Sequence, residues 1–280
     1  MPFLFGGKLA KDQTYKRVVV KLGSNLLTDA DQGLSRVRLD KYVNALAKLR
    51  AFVPEVVLVS SGAIAAGYSR LNYASRPSSV IAKQACAAVG QGLLIQAYTE
   101  SFAAHGLSVA QVLLTRGDFA RRESYNNALN TLSLLLEKGV VPIINENDTV
   151  SIRELTFGEN DLLAALVATL LQADYLVIFS SACGLYDRDP SLHPEAKLIE
   201  RVDEISPKIR AMASASTSSK GTGGMVAKLA AAELALSMGI PVFIGGGVKD
   251  CDLKAVLDGS AHGTYSVSYT HLTLPTIYSV

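Results

Sequence analysis

Six short runs of apolar, largely β-branched residues are spaced along the chain, with longer stretches of helical periodicity between them. They are Arg17–Leu22, Val56–Ser60, Ser108–Leu114, Val140–Asn145, Tyr175–Phe179 and Pro241–Ile244. Each is continuously apolar instead of alternating with polar residues, the mark of a strand covered on both faces in a parallel sheet. Between them Arg38–Arg50, Ser78–His105, Ser124–Lys138, Asp161–Gln172 and Gly224–Met238 read as helices. Gly139 and Gly239 stand where a glycine closes a helix before the next strand. This alternation predicts an α/β fold: a three-layer α/β/α sandwich around a mainly parallel central sheet. Neither an internal repeat nor a Pro/Ser-rich linker interrupts it, so one domain over about residues 15–265 is expected.

Composition narrows the function classes. The net charge is only +2 with the basic residues spread along the chain, which argues against a nucleic-acid partner read by a clustered basic face. Cys86, Cys183 and Cys251 lie far apart with no C-x-x-C pair, the usage expected of reduced thiols. The four histidines are scattered too, so no protein-ligated metal site is expected. No run approaches the ~18 apolar residues of a spanning helix. Residues Met1–Arg17 lack the basic start and apolar core of a signal peptide. No membrane partner and a cytoplasmic location are the resulting expectations.

Ligands of parallel α/β sheets sit beyond the carboxyl ends of the strands, so the residues that follow each strand are the informative ones. Val18–Leu22 leads into Gly23-Ser24 and carries Lys21; Val56–Ser60 leads into Ser61-Gly62-Ala63. Pro142-Ile143-Ile144 is followed by Asn145-Glu146-Asn147-Asp148, and Phe179 by Ser180-Ser181. No G-x-x-x-x-G-K-[ST] occurs, and Gly245-Gly246-Gly247 does not complete a dinucleotide fingerprint, so P-loop and Rossmann chemistries are excluded. What remains is a lysine leaving a buried strand into small residues, whose amides can approach a phosphate. A second anion-accepting turn at Ser61-Gly62 precedes a helix, Ala63–Tyr68. The glycine loop Gly221-Thr222-Gly223-Gly224 places Lys228 one turn into another helix. Each feature alone has a plain structural reading: a solvated strand end, a connecting turn, or, for Asp161, a first-turn acid.

Taken in order, these segments resemble the amino acid kinase family. The matching text is Val20-Lys21-Leu22-Gly23-Ser24, Ser61-Gly62-Ala63-Ile64-Ala65-Ala66-Gly67, Lys83-Gln84, Ala87-Ala88-Val89-Gly90-Gln91, and Leu113-Leu114-Thr115-Arg116. Asn145-Glu146-Asn147-Asp148, Asn160-Asp161 and Gly221-Thr222-Gly223-Gly224-Met225 complete it. The Ser61–Gly67, Asn145–Asp148 and Gly221–Met225 runs are similar above all to the glutamate 5-kinase branch. The similarity runs from about Val18 to Thr264.

That resemblance implies the amino acid kinase fold and ATP-dependent phosphorylation of the γ-carboxylate of L-glutamate, the first step of proline synthesis. Lys21 and Lys228 would flank the transferred phosphoryl group, with Asp161 holding them as the third catalytic residue. Ser61, Asp148 and Asn160 would bind glutamate, with Asn145 nearby. ATP would meet Lys21, Gly23, Ser180, Ser181 and the segment Thr222, Gly223, Gly224, Met225, Val226, Ala227 and Lys228. Mg²⁺ would be held mainly through the ATP phosphates. The resemblance also implies proline as a feedback inhibitor, a homo-oligomer (dimer or tetramer) and coupling to glutamate-5-semialdehyde dehydrogenase. Sister activities on the same fold, acetylglutamate or aspartate kinase, and a non-catalytic ligand sensor are the alternatives. Two departures stand out: Ser181 occupies a position where the family is usually acidic, and residues 266–280 are unlike the family. A sequence that becomes non-native near residue 266, with no C-terminal PUA domain, is expected.

Overall fold

The computed structural model describes residues 14–29, 33–150, 159–215, 224–247 and 252–267. Its strands are β1 (Arg17–Leu22), β2 (Thr28–Asp29), β3 (Gly33–Leu34), β4 (Glu55–Ser60), β5 (Val109–Leu114), β6 (Val141–Glu146), β7 (Tyr175–Ser180), β8 (Arg201–Val202), β9 (Val242–Gly246) and β10 (Gly263–Ser266). The helices are α1 (Ser24–Leu27), α2 (Arg36–Arg50), α3 (Ala63–Gly67), α4 (Val80–Ala103), α5 (Arg122–Glu137), α6 (Glu159–Leu170), α7 (Pro207–Ala215), α8 (Gly224–Ser237) and α9 (Leu253–Leu257). Eight strands form one sheet in the order β5-β6-β4-β1-β7-β9-β10-β8, while β2 and β3 make a separate hairpin. All pairings in the large sheet are parallel except β9 with β10. The fold is thus an α/β/α sandwich with a mainly parallel central sheet.

The six sequence-predicted strands are all present; Arg17–Leu22 coincides with β1, and the other five differ at their ends by one or two residues. Gly139 and Gly239 close α5 and α8 in the left-handed conformation, and their neighbours' amides return to carbonyls of the last turn. Sequence periodicity does not foretell α1, the β2–β3 hairpin, α7, α9 or the last two strands of the sheet, β10 and the edge strand β8. These pieces are short, and α7 opens on Pro207, which suits a first helical turn but also reads as a loop. Within the tail expected to be atypical, Ser266 still belongs to β10 and Val267 is buried; residues 268–280 lie outside the described residues.

Side-chain alternation along the parallel strands sorts the core into two halves. Val18, Val20 and Leu22 of β1 face one way and pack with Leu39 and Leu46 of α2 and Leu94 and Tyr98 of α4. Val19 faces the other way, together with Val57, Val59, Ile144 and Ile178, against Val167 of α6 and Leu229 and Ala232 of α8. Period two then decides where the polar residues at the strand ends point. Lys21, in phase with Val19, turns to the α6/α8 face. Ser60 and Asn145, in phase with Leu58 and Ile143, turn to the α4 face. α3 meets α4 at a glycine–glycine crossing. A Cβ on Gly67 would stand 2.0 Å from the Cys86 carbonyl oxygen, and one on Gly90 only 1.8 Å from that of Ala63. Only hydrogen fits at either position.

Candidate active site

The carboxyl ends of β6, β4, β1 and β7 are adjacent in the sheet, and each delivers part of one polar surface. At its centre, Lys21 near the end of β1 meets Asp161 in the first turn of α6, with Nζ 2.5 Å from Oδ1. Lys228, one turn into α8, donates from Nζ to Asp161 Oδ2 at 2.9 Å and to the Gly224 carbonyl at 3.2 Å. The three residues stand far apart in the sequence, yet one carboxylate grips both ammonium groups. Their exposures are 5%, 1% and 8% for Lys21, Asp161 and Lys228, so the pairing takes place almost out of water.

Burial sets the electrostatics of this triad. Desolvation pulls the Lys21 pKa below the ordinary lysine value and the nearby Lys228 adds to the fall, while Asp161 opposes it. For Asp161, burial alone would raise the pKa, but Lys21 and Lys228 outweigh it and hold the carboxyl below its usual range. One negative charge therefore serves two positive ones, and the buried excess of positive charge suits an anion.

Beside the triad lies a chain of side-chain amides. Asn160 precedes Asp161 in α6 but turns the other way, donating from Nδ2 to Ser61 Oγ at 2.8 Å and to Asn145 Oδ1 at 3.0 Å. Asn145, at the end of β6 and 2% exposed, donates from Nδ2 to Gln91 Oε1 of α4 at 2.9 Å. The Glu146 backbone N–H is shared between Asn145 Oδ1 at 2.9 Å and Asn160 Oδ1 at 3.3 Å. Next to this chain, Ser60 Oγ and the buried Tyr98 hydroxyl are 2.8 Å apart, and Ser60 donates to the Ser61 carbonyl. Burial pushes the Tyr98 pKa up despite that bond, so it stays a neutral phenol.

Ser61, Asn145 and Asn160 are thus brought together, adjacent to Lys21, Asp161 and Lys228. Asp148 sits half-buried in the turn two residues past β6. On the far side of β1, Gly23 caps α1, and a Cβ there would stand 3.6 Å from Lys21 Nζ. Ser180 ends β7 and binds back to Ala182 through its hydroxyl, while Ser181 is exposed. Gly224, Met225, Val226 and Ala227 form the first turn of α8, with Lys228 beside them; Thr222 and Gly223 lie outside the described residues. Gln91 and Tyr98 were missed as site residues. The available signal was their polarity on an otherwise apolar face: seven residues apart, they share one side of α4.

No group of three or more His, Cys, Asp and Glu side chains able to hold a metal occurs among the described residues. No described helix is long and apolar enough to cross a membrane.

A sheet end carrying a buried cation pair on one side and an amide cluster on the other defines a site for joining an anionic donor to a polar acceptor. The amino acid kinase family pattern matches residues 16–246, and the chain belongs to that family. Its similar relatives include "Glutamate 5-kinase" of Bacillus anthracis, 50% identical over 89% of this chain and 68% of the relative. "Glutamate 5-kinase 1" of Bacillus licheniformis is 48% identical over the same shares of the two chains. Among solved structures, a carbamate kinase from Giardia lamblia bound to AMP-PNP superposes with a TM-score of 0.61 at 16% identity, over 91% of this chain and 99% of that one. The last of these likenesses speaks to the fold alone.

Proposed function

We propose that this chain is an ATP-dependent glutamate 5-kinase, transferring the γ-phosphoryl group of ATP to the γ-carboxylate of L-glutamate. The observation that carries this reading is the buried Lys21–Asp161–Lys228 triad abutting the Ser61–Asn160–Asn145 cluster. The degree of identity to relatives named for that reaction supports the choice of acceptor.

The chemistry asks little proton transfer of the protein. A glutamate side-chain carboxyl ordinarily titrates near ~4.3 and is ionised at neutral pH, so it attacks without a general base. A γ-carboxylate oxygen forms the new O–P bond, the bond between the γ-phosphorus and the β,γ-bridging oxygen breaks, and ADP leaves with that electron pair. The obstacle is bringing an anion to a polyanion. Lys21 and Lys228 supply positive charge on the migrating phosphoryl, and Asp161 keeps the two ammonium groups together. Preorganised contacts of this kind are commonly worth on the order of 10²–10³ in rate each.

Ser61, Asn160 and Asn145 form the acceptor side, where the carboxylate of Asp148 pairs with the α-ammonium of free glutamate. Ser180, Ser181, Gly23 and the Thr222–Lys228 segment form the nucleotide side. Mg²⁺ would neutralise phosphate oxygens when bound and would be held mainly through the ATP phosphates, since both oxygens of Asp161 already face lysines. The same reading carries a cytoplasmic location, proline as a feedback ligand at the acceptor site and a homo-oligomer. It also carries hand-over of the labile acyl phosphate to a reductase, and one kinase domain over residues 1–265.

The test is hydroxamate trapping with ATP and Mg²⁺ against glutamate, N-acetylglutamate and aspartate. Trapped product from glutamate alone is expected. Product only from N-acetylglutamate or aspartate would move the chain to a sister activity, and none from any acceptor would leave a ligand sensor.

A further inference from the structure

The amide chain beside the triad has a fixed direction, and one backbone group fixes it. The Glu146 N–H can only donate, so the atom of Asn145 that receives it must be Oδ1. Asn145 Nδ2 then necessarily points at Gln91, which must present its carbonyl, Oε1. Asn145 Oδ1 also faces Asn160, so Asn160 must present Nδ2 there, and the same nitrogen reaches Ser61 Oγ. Ser61 is therefore an acceptor within this chain. Among the described residues Asn160 is the hydrogen-bond partner of its hydroxyl, which leaves the hydroxyl hydrogen to donate outward. The amide orientations of Asn145, Asn160 and Gln91, which proteins usually leave open, are closed here.

Gln91 is the terminal acceptor on which this order ends. It is 8% exposed, and its neighbours on the same helix face, Ala87 and Leu94, are buried and apolar, so they offer nothing to compete for Oε1. Without that acceptor, Asn145 Nδ2 would be a buried donor with no partner. The amide would gain by rotating or shifting, and the Asn160 and Ser61 orientations that depend on it would be lost.

We propose that Gln91 is a positioning residue for the acceptor. By accepting from Asn145 it sets a one-way relay, through Asn160, that presents the Ser61 hydroxyl hydrogen to an oxygen of the incoming carboxylate. Gln91 itself touches no substrate. The inference rests on the assignment of Ser61, Asn145 and Asn160 to the acceptor site, and it adds a group outside that site which determines how well a carboxylate is recognised.

The experiment compares Gln91→Met, Gln91→Asn and Gln91→Glu with Ser61→Ala as control, measuring glutamate KM, ATP KM, kcat and Tm for each. Methionine fills the volume without an acceptor, and asparagine withdraws the acceptor by one methylene. Both are expected to raise glutamate KM about ten- to a hundredfold, the effect of stranding one buried donor, while ATP KM stays within about twofold. Gln91→Glu keeps an oxygen at the same reach and is expected to recover most of the loss, increasingly as the pH is lowered and the new carboxyl is neutral. A merely structural Gln91 would lower Tm and raise both KM values together, with no recovery in Gln91→Glu; that result overturns the proposal. So does an unchanged glutamate KM in Gln91→Met and Gln91→Asn when Ser61→Ala raises it. An unchanged KM in Ser61→Ala would instead refute the acceptor site itself. If neither Gln91→Met nor Gln91→Asn folds, Gln91 is a core residue and the proposal fails.

Discussion

Replacing Asp161 by asparagine keeps the shape of the triad and removes its only negative charge. In the native chain Oδ1 and Oδ2 lie 2.5 and 2.9 Å from two ammonium nitrogens, and the side chain is 1% exposed. With an effective dielectric of about 20, each contact carries roughly 6 kcal/mol of Coulomb attraction, most of it offset by desolvation. Deleting one partner of a buried pair typically costs about 3–5 kcal/mol, and here the deletion strands two cations that also repel each other. An unfolding entropy of roughly 2.1 cal/mol/K per residue over this chain length converts that loss to about 5–9 °C in Tm. The assay is thermal and urea denaturation of the wild type, Asp161→Asn, Lys228→Met and the double variant at neutral pH and fixed salt. Because Lys228→Met removes one of the stranded charges, the double variant should be more stable than the sum of the singles by at least about 1.5 kcal/mol. A loss below about 1 kcal/mol in Asp161→Asn, or additive single losses, would show that the carboxylate does not hold the lysines as described.

Three further outcomes rest on the same geometry. If, as proposed, its cation acts on the migrating phosphoryl, Lys228→Met should lower kcat on the order of a hundredfold or more with glutamate KM changed little; steady-state kinetics with kcat nearly intact would remove Lys228 from the reaction. Gly90→Ala puts a methyl 1.8 Å from the Ala63 carbonyl oxygen, and reaching an ordinary contact of roughly 3.3 Å requires α3 to retreat by about 1.5 Å. A loss of about 1–3 kcal/mol and a raised glutamate KM are expected, and a urea midpoint equal to that of the wild type would count against the crossing. The depressed Lys21 pKa predicts that kcat/KM for ATP falls on the alkaline side with a midpoint below the ordinary 10.5. For stability the sign is opposite. Between the folded and unfolded values the unfolded chain binds the Lys21 proton and the native one does not, so this group's contribution rises with pH. An alkaline limb at or above 10.5 in a pH–rate profile would contradict both.

Most of the sheet was legible because its strands are buried on two faces and leave unbroken apolar runs. The hairpin β2–β3, the edge strand β8 and its neighbour β10 are only two to four residues long. That is too short to leave a period, and their pairing is decided by tertiary contact. For the site, strand ends drew attention to Lys21, Ser61 and Asn145. That Lys21 and Asn145 point to opposite faces is written in period-two alternation with Val19 and Ile143. Gln91 and Tyr98 left only one signal, polarity on an apolar helix face, and it does not say what they serve. A polar residue in an apolar helix has no visible purpose until the strand that faces it supplies Asn145 or Ser60.

Lys21 of β1 lies level with Val59 and Ile144, one position before Ser60 and Asn145, so the in-register strand ends turn a cation to one face of the sheet and hydroxyl and amide groups to the other. On the proposed assignment, the cations that meet phosphate are backed by α6 and α8, while the acceptor side joins Asn145, held by Gln91 of α4, to Asn160 of α6. On that assignment, drift in α4 would alter which carboxylic acid is welcomed while leaving Lys21, Asp161 and Lys228 in place, so a single scaffold of this kind would diversify its clientele without relearning its chemistry.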